Sequence, residues 1–204
     1  MAAKWAGDGA NGNLYHDDGR LYVLGVSKKV QAIDFAFNYF KTTGSVDGRD
    51  WATVPSSEVE YNLGRNIYSL NADWAIDHNW GLTYRYMWTD DRVPVFGDIN
   101  ETAGAKDGYF AQLNYRGADP SKAGTWGLRA RYFDQPQNVW LYPTYDAENF
   151  SGVGGYKGWN FGGSYTFAKN IFLDVDYYDT ESKAKFVSGK ATSRKLYSQL
   201  WFLF

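Results

Sequence analysis

Residues 80–88 read Trp-Gly-Leu-Thr-Tyr-Arg-Tyr-Met-Trp and alternate strictly between two kinds of side chain. The even-numbered positions are all aromatic or Leu, whereas the odd-numbered positions are Gly81, Thr83, Arg85 and Met87. Successive side chains of a β-strand point to opposite faces, so this stretch predicts a strand with one apolar and one mainly polar face. Helical spacing would mix the two sets.

The same period of two recurs along most of the chain and predicts an all-β protein. It is clearest in residues 33–40, 109–116, 125–132, 159–167, 171–178 and 196–204, and less regular in 21–26. We predict ten antiparallel strands with approximate limits 1–7, 20–27, 31–41, 58–75, 80–89, 108–117, 123–134, 157–167, 171–180 and 193–204. No linker or change of composition divides the chain, so residues 1–204 are expected to form one domain.

One predicted strand does not keep a single phase. Val59 and Tyr61 are odd-numbered, whereas the apolar positions from Tyr68 onward are even-numbered. A β-bulge near residues 64–66 would insert one residue and bring the apolar side chains back to one face. We therefore predict one long, bulged strand over residues 58–75.

The connections between these strands alternate in length. Short ones fall at 28–30, 76–79, 118–122 and 168–170, and longer ones at 8–19, 42–57, 90–107, 135–156 and 181–192. Tight turns at one end and long loops at the other are typical of bacterial outer-membrane barrels. The sequence thus favours a transmembrane, antiparallel, up-and-down β-barrel with about ten strands in this chain.

Aromatic residues argue against the main alternative, a soluble β-sandwich, whose strands also alternate. They make up 19% of the chain, with nine Trp and 17 Tyr, beside 22% charged residues. A sandwich core is expected to be packed from Val, Ile and Leu, whereas here rings recur at strand ends, as in the girdles of membrane barrels. We predict a turn-side girdle of Trp74, Trp80, Tyr115, Trp126, Phe167 and Phe204, and a loop-side girdle of Tyr39, Trp88, Tyr109, Tyr132, Trp159 and Tyr177.

Other classes of protein find little support in the composition. A net charge of −2 gives no basic excess for nucleic acid, and the absence of cysteine excludes a disulfide scaffold and a Cys-based zinc site. No apolar run approaches the roughly 18 residues of a spanning helix. The N-terminus lacks the apolar region of a signal peptide, so we expect a mature, re-engineered or partial chain.

Residues 196–204, Leu-Tyr-Ser-Gln-Leu-Trp-Phe-Leu-Phe, resemble the last strand of outer-membrane porins. In porins a final Phe and alternate apolar residues are recognised by the barrel-assembly machinery, which implies that Phe202 and Phe204 form an assembly signal. The aromatic strands and Gly- and Asp-rich loops also resemble the porin barrels of diderm Firmicutes, which usually follow an S-layer-homology domain and have about sixteen strands. No such domain occurs here and the first strand looks truncated, which leaves open whether the barrel has further strands.

The resemblance implies a function in the bacterial outer membrane. We expect a water-filled channel for passive diffusion of small hydrophilic solutes and ions, surrounded by outer-membrane lipid and assembled as a homotrimer. A structural or adhesive barrel with a plugged lumen is the alternative. No cofactor, metal, enzymatic activity or nucleic-acid partner is expected.

If the aromatic face meets lipid, the other face lines the lumen. The charged residues predicted there are Arg85, Arg116, Arg129, Arg131, Lys195, Asp34, Glu58, Glu60, Asp73, Asp174 and Asp176. Charges inside a pore set its ion preference through the local field, so we expect weak selectivity. The competing interpretation is that these charges pair across a plugged lumen, because lumen width grows with strand number.

Two further features of the sequence are candidate sites. The loop 90–107 would form an acidic constriction if it folds inward as in porins, although a solvated loop is the simpler interpretation; its acids are Asp90, Asp91, Asp98 and Glu101. An outer-rim protease would need His and Asp together, and only His16 and His78 are available. His78 falls in a short turn on the opposite side from His16, so the sequence disfavours an enzyme.

Overall fold

The alternating segments form β-strands, as their period of two predicts. The computed structural model describes residues 2–4, 20–43, 45–47, 60–62, 65–90, 106–136, 139, 155–183 and 189–204. Its strands are β1 (Ala2–Lys4), β2 (Arg20–Val30), β3 (Ile33–Thr43), β4 (Ser45–Asp47), β5 (Glu60–Asn62), β6 (Arg65–Ala75), β7 (Trp80–Thr89), β8 (Asp107–Arg116), β9 (Trp126–Gln135), β10 (Tyr156–Ala168), β11 (Ile171–Ser182) and β12 (Thr192–Phe202). These ranges contain no helix that is long and apolar enough to cross a membrane.

Ten of these strands form one antiparallel sheet with an up-and-down topology. Their order is β1-β2-β3-β6-β7-β8-β9-β10-β11-β12, in which every strand except the three-residue β1 has 10 to 13 residues. The predicted all-β, up-and-down class is therefore confirmed. Within the described residues β1 pairs only with β2 and β12 only with β11, so the sheet is open at both edges. Closure into a barrel stays a prediction.

The predicted bulged strand over residues 58–75 is wrong. β5 and β6 are separate strands, and β5 pairs with β4 in a two-stranded sheet of its own. Thr42 pairs with Arg65 and Ser45 with Asn62, so two residues lie between the pairs on each side of the hairpin. A bulge in one strand would make the two sides unequal. The β3–β6 hairpin instead continues beyond the large sheet as an in-register ribbon.

The first short connection also differs from its prediction. β2 continues through residues 28–30, where Lys28 pairs with Phe35 and Lys29 with Asp34. The turn consists of residues 31 and 32, and Gln31 has a φ of 54°. A two-residue turn needs residues at positive φ to match the twist of the flanking strands, and Gln31 meets this requirement. The chain therefore reverses at residues 31 and 32 and not at residues 28–30.

The two faces of the sheet differ in a way that is opposite to that of a soluble protein. On the aromatic face Leu196 is 75% exposed and Leu24 is 72% exposed, whereas on the polar face Asn160 is 0% exposed and Asp176 is 6% exposed. Pairing keeps each set on one face, since Phe161 lies opposite both Ala130 and Tyr177. We call these the outer and the inner face. The sheet is curled, and the inner face lies on its concave side.

Aromatic rings on the outer face form two rows across neighbouring strands. Near the long loops, the ring of Tyr68 lies 5.3 Å from that of Tyr39 and 5.4 Å from that of Trp88. Near the short turns, the ring of Tyr115 lies 4.6 Å from that of Trp80 and 5.6 Å from that of Trp126. The positions predicted as two girdles therefore lie at the two ends of the sheet. The outer-face residues between them are aliphatic on β6, β8, β9 and β11, but on β3, β7 and β10 they include Phe35, Phe37, Tyr84, Tyr86, Phe161 and Tyr165.

The inner face is not polar throughout. Near the long loops Phe133, Tyr156 and Tyr178 form a buried cluster, against which Phe110 and Tyr197 pack. The edge of the Phe133 ring meets Tyr156 with the centroids 5.6 Å apart. Charged residues and amides lie mainly toward the middle and the short turns, where Phe172 and Trp201 also stack. The buried hydroxyls of Thr180 and Ser182 lie at the long-loop end, so aromatic and polar residues are mixed along the inner face.

The turn between β6 and β7 is closed by one carboxylate. Oδ1 of Asp77 accepts hydrogen bonds from the backbone N–H of Asn79 at 2.7 Å and of Trp80 at 2.8 Å. These two bonds to the charged form lower the pKa of Asp77 below its usual range. A group with a lowered folded-state pKa stabilises the fold above its unfolded pKa of about 4, and this contribution disappears as the pH falls through the folded-state pKa.

We expect Asp77→Ala to lower the urea midpoint of unfolding at pH 7 for the protein refolded in lipid vesicles. Asp77→Asn keeps an acceptor oxygen and is the matched control, with a smaller decrease. The difference between wild type and Asp77→Ala should shrink as the pH is lowered below about 4. A difference that stays constant down to pH 2.5 would show that the carboxylate charge does not stabilise the turn.

Candidate functional site

The inner face encloses a cavity of about 620 Å³. Its lining comes from β2, β3, β6, β7, β8, β9 and β10, which are seven consecutive strands of the sheet, and from Val139. Seven neighbouring strands can line one cavity only when the sheet curls around it, because flat neighbours spaced about 4.8 Å apart enclose nothing. The cavity is therefore the space that the curled sheet surrounds.

The cavity extends along the strands. Its lining includes four successive inner-face residues of β6, which are Ile67, Ser69, Asn71 and Asp73. Ile67 lies near the long loops and Asp73 near the short turn, and six residues of strand span about 20 Å. The cavity therefore follows β6 over most of the strand.

Three of the predicted inner residues form one charged cluster. The guanidinium of Arg129 on β9 donates to Asp174 on β11 through Nη1 at 3.0 Å and Nη2 at 2.9 Å. It also donates to both carboxylate oxygens of Asp176, with Nε 3.0 Å from Oδ1. Ser164 Oγ donates to Asp174 at 2.6 Å, and Asn160 Nδ2 to Asp176 at 2.8 Å. All five side chains are buried or half-buried, so every carboxylate oxygen of the pair has a donor.

A glycine makes this cluster possible. Arg129 and Asp176 lie on strands separated by β10, where Gly162 pairs with both of them. A Cβ at Gly162 would collide with the guanidinium of Arg129 and with Oδ1 of Asp176. The arginine therefore crosses β10 over a position without a side chain, as glycine inside a strand often allows. The alternation pattern counts Gly162 only as a small inner residue, so sequence reasoning missed its role.

Other predicted lumen residues line the cavity separately. Arg85 and Asp73 lie on neighbouring strands, and the Asp73 carboxylate accepts a hydrogen bond from Thr83 Oγ1 at 2.7 Å. The guanidinium of Arg85 lies 5.8 Å from the centroid of the Phe110 ring. Arg131 belongs to the same lining. The sequence did not single out the amides of Asn38, Asn71 and Gln135, or Phe40, Phe110, Phe133 and Tyr156, which share this lining.

The remaining predicted lumen residues lie outside the cavity. Asp34, at the turn end of β3, makes an exposed ion pair with Lys29 at 3.2 Å. Lys195 is half-buried on the inner face of β12, opposite Tyr178. Glu60 belongs to β5, outside the large sheet, and Glu58 lies outside the described residues.

Arg116 departs from the inner-face pattern. It ends β8 with a φ of 56°, and its Nε donates to Asn79 Oδ1 at 3.3 Å. The guanidinium lies 5.1 Å from the centroid of the Trp126 ring and 5.6 Å from that of Tyr115. Both rings belong to the outer face, so the positive φ turns this arginine from the inner face to the turn-side row of rings.

The described residues directly after β9 lie against the inner face. Pro136 is buried and Val139 is 2% exposed, and Val139 lines the cavity. Both residues lie over Gly108, where a Cβ would be 2.7 Å from Pro136 Cδ and 3.2 Å from Val139 Cγ2. The constriction that the sequence predicts in the loop 90–107 stays a prediction. Asp90 is exposed beside β7, and Asp91, Asp98 and Glu101 lie outside the described residues.

The predicted assembly signal lies apart from the cavity, and so does His78. Phe202 ends β12 on the outer face opposite Ile171, and Phe204 follows it, fully exposed. His78 is exposed in the β6–β7 turn, and His16 is outside the described residues. In the part of the chain that the structure describes, no three His, Asp or Glu side chains lie close enough together to hold a metal ion.

Comparison with known proteins does not assign this chain to a family. No protein-family model matches the sequence, and a search of curated proteins found no match. The likeness to porins therefore stays a prediction from the residues.

We expect Arg129→Met to destabilise the protein by about 2–4 kcal/mol, because it leaves two half-buried carboxylates side by side without their counter-charge. The triple variant Arg129→Met, Asp174→Asn, Asp176→Asn should recover most of the loss. Arg194→Met is the control, since its 3.2 Å pair with Asp179 is exposed on the outer face and such pairs contribute about 0–1 kcal/mol. Urea unfolding in vesicles measures all three, and equal losses for Arg129→Met and Arg194→Met would contradict the assigned role of the cluster.

Proposed function

We propose that this chain forms a wall of an outer-membrane channel of the porin type, through which small hydrophilic solutes and ions diffuse. The observation that carries the proposal is the cavity along β6, whose four lining residues follow the strand for about 20 Å. Because barrel strands are tilted by about 35–45°, this length covers about 15 Å of the roughly 30 Å hydrocarbon thickness of a bilayer.

The outer face supports a membrane environment. Leu196, Leu24, Val26 and Phe161 are more than half exposed, on strands long enough to cross a bilayer when tilted. Contiguous apolar surface of this extent marks a lipid or protein contact. Rows of rings at both ends of the sheet fit the interfacial girdles of a membrane barrel, and the residues between them are apolar, which favours lipid.

Lipid contact has a consequence for the edges of the sheet. An unpaired strand edge in hydrocarbon leaves N–H and C=O groups without partners, so the proposed channel requires a closed barrel. The assembly signal at Phe202 and Phe204, the location in the outer membrane and the trimeric state belong to the same proposal and rest on the resemblance at residues 196–204.

A structural or adhesive barrel with a plugged lumen is the second candidate. It is favoured by the Arg129 cluster, whose ion pairs occupy part of the inner face, and by Val139, which lines the cavity just after β9. The distinguishing property is conduction, because both candidates share the same orientation in lipid.

The absence of cysteine allows single cysteines to test the channel. Ser69 is a buried inner-face residue of the cavity lining, whereas the adjacent Leu70 is 49% exposed on the outer face. We expect ohmic steps in planar bilayers for Ser69→Cys and Leu70→Cys. A water-soluble, cationic thiol reagent should then reduce the current by at least about half in Ser69→Cys only, because the label narrows and charges a water-filled path.

The two candidates give different results in this experiment. Folded protein without ohmic steps would favour the plugged barrel. Steps that respond to the reagent at Leu70 and not at Ser69 would contradict the assigned faces.

A further inference from the structure

Arg85 has different surroundings from Arg129, although both are inner-face arginines. The Arg129 guanidinium is held by two carboxylates, and its side chain is 14% exposed. Arg85 is exposed and lines the cavity. Among the described residues it has no carboxylate at ion-pair distance and no hydrogen-bond acceptor, and its guanidinium lies over the Phe110 ring. A guanidinium in this position retains its five N–H donors for a solute.

On the β8 side the wall beside Arg85 is apolar. Phe110 lies directly opposite Arg85 in the β7–β8 pairing, and Met87 is the next inner-face residue on β7. Both are half-exposed and line the cavity, and the ring of Phe133 lies 5.4 Å from that of Phe110. Arg85 therefore lies between the polar Asn71 of β6 and the apolar residues near the long loops.

The cavity lining carries two arginines and one carboxylate among the described residues, namely Arg85, Arg131 and Asp73. Asp73 accepts a hydrogen bond from Thr83 and lies toward the short turn, and Arg131 interacts electrostatically with Asp174 of the Arg129 cluster. Arg85 is therefore the lining residue best placed to attract an anion.

We propose that the cavity selects small organic anions in which a carboxylate is joined to a ring or a branched hydrocarbon. The carboxylate binds the Arg85 guanidinium, whose forked donors match two oxygens, and the hydrocarbon part lies against Phe110 and Met87. An inorganic anion interacts only with the charge of Arg85, and a neutral apolar solute contacts only Phe110 and Met87. The inference rests on the proposed channel and names its class of solute, which binds weakly because it has to leave again.

Benzoate is the probe, added to both sides of a planar bilayer that holds the full chain in potassium chloride. We expect benzoate to reduce the single-channel current reversibly. Acetate has the charge without the ring and benzyl alcohol has the ring without the charge, so both should reduce it much less. Arg85→Gln should raise the half-blocking benzoate concentration about tenfold, since one charge-assisted contact is lost.

Two variants control for general effects of charge and folding. Arg85→Lys keeps the charge but not the forked donors, and should lie between wild type and Arg85→Gln. Arg194→Gln removes a positive charge from the outer face and should leave block by benzoate unchanged. The inference is wrong if benzoate blocks Arg85→Gln and Arg194→Gln at the same concentration, or if acetate blocks the wild type as well as benzoate does. Either result would leave the proposed channel function intact.

A separate measurement covers failure of the channel itself. If folded protein gives no current steps, the proposed function is wrong, and equilibrium dialysis with labelled benzoate then decides the inference. Binding about tenfold weaker in Arg85→Gln than in wild type would support the site. Equal binding by the two proteins, or none by wild type, would overturn it.

Discussion

A single curled sheet buries only its concave face, and in this chain that face carries the amides, hydroxyls and charges. Burying a polar group without a partner costs about 1–3 kcal/mol, so the inner face has to be hydrogen-bonded to itself. The cluster around Arg129 meets this requirement for two aspartates at once. Because every carboxylate oxygen of the pair has a donor there, these polar residues can be buried without a second layer of structure.

The outer face follows from the same constraint. When the polar residues lie inside the curl, period-two alternation leaves Trp, Tyr, Phe and Leu outside on every long strand. In water such a surface would make the protein associate with other molecules. In a bilayer the apolar residues contact acyl chains, and the two rows of rings lie at the level of the headgroups. The proposed channel, the Arg85 site and the requirement for closure all depend on this orientation.

Local pattern predicted the strands and their order, because a period of two needs only neighbouring residues, as in residues 80–88. It failed where geometry depends on distant partners. The bulge over 58–75 was inferred from one strand, but register depends on both. The role of Gly162 needs two other strands, the side chain of Arg116 depends on a positive φ, and the inward position of Val139 depends on Gly108. Alternation shows which side chains share a face, but not which of them meet.

Site-directed spin labelling along β12 tests the orientation most directly, since the chain has no cysteine of its own. Labels would be placed singly, in lipid vesicles, at Leu196, Tyr197, Ser198, Gln199 and Leu200. Collision with oxygen, which concentrates in hydrocarbon, should be high at the even-numbered positions, and collision with a water-soluble nickel chelate should be higher at the odd-numbered ones. The opposite phase, or a folded and monodisperse protein without any detergent or lipid, would contradict the account.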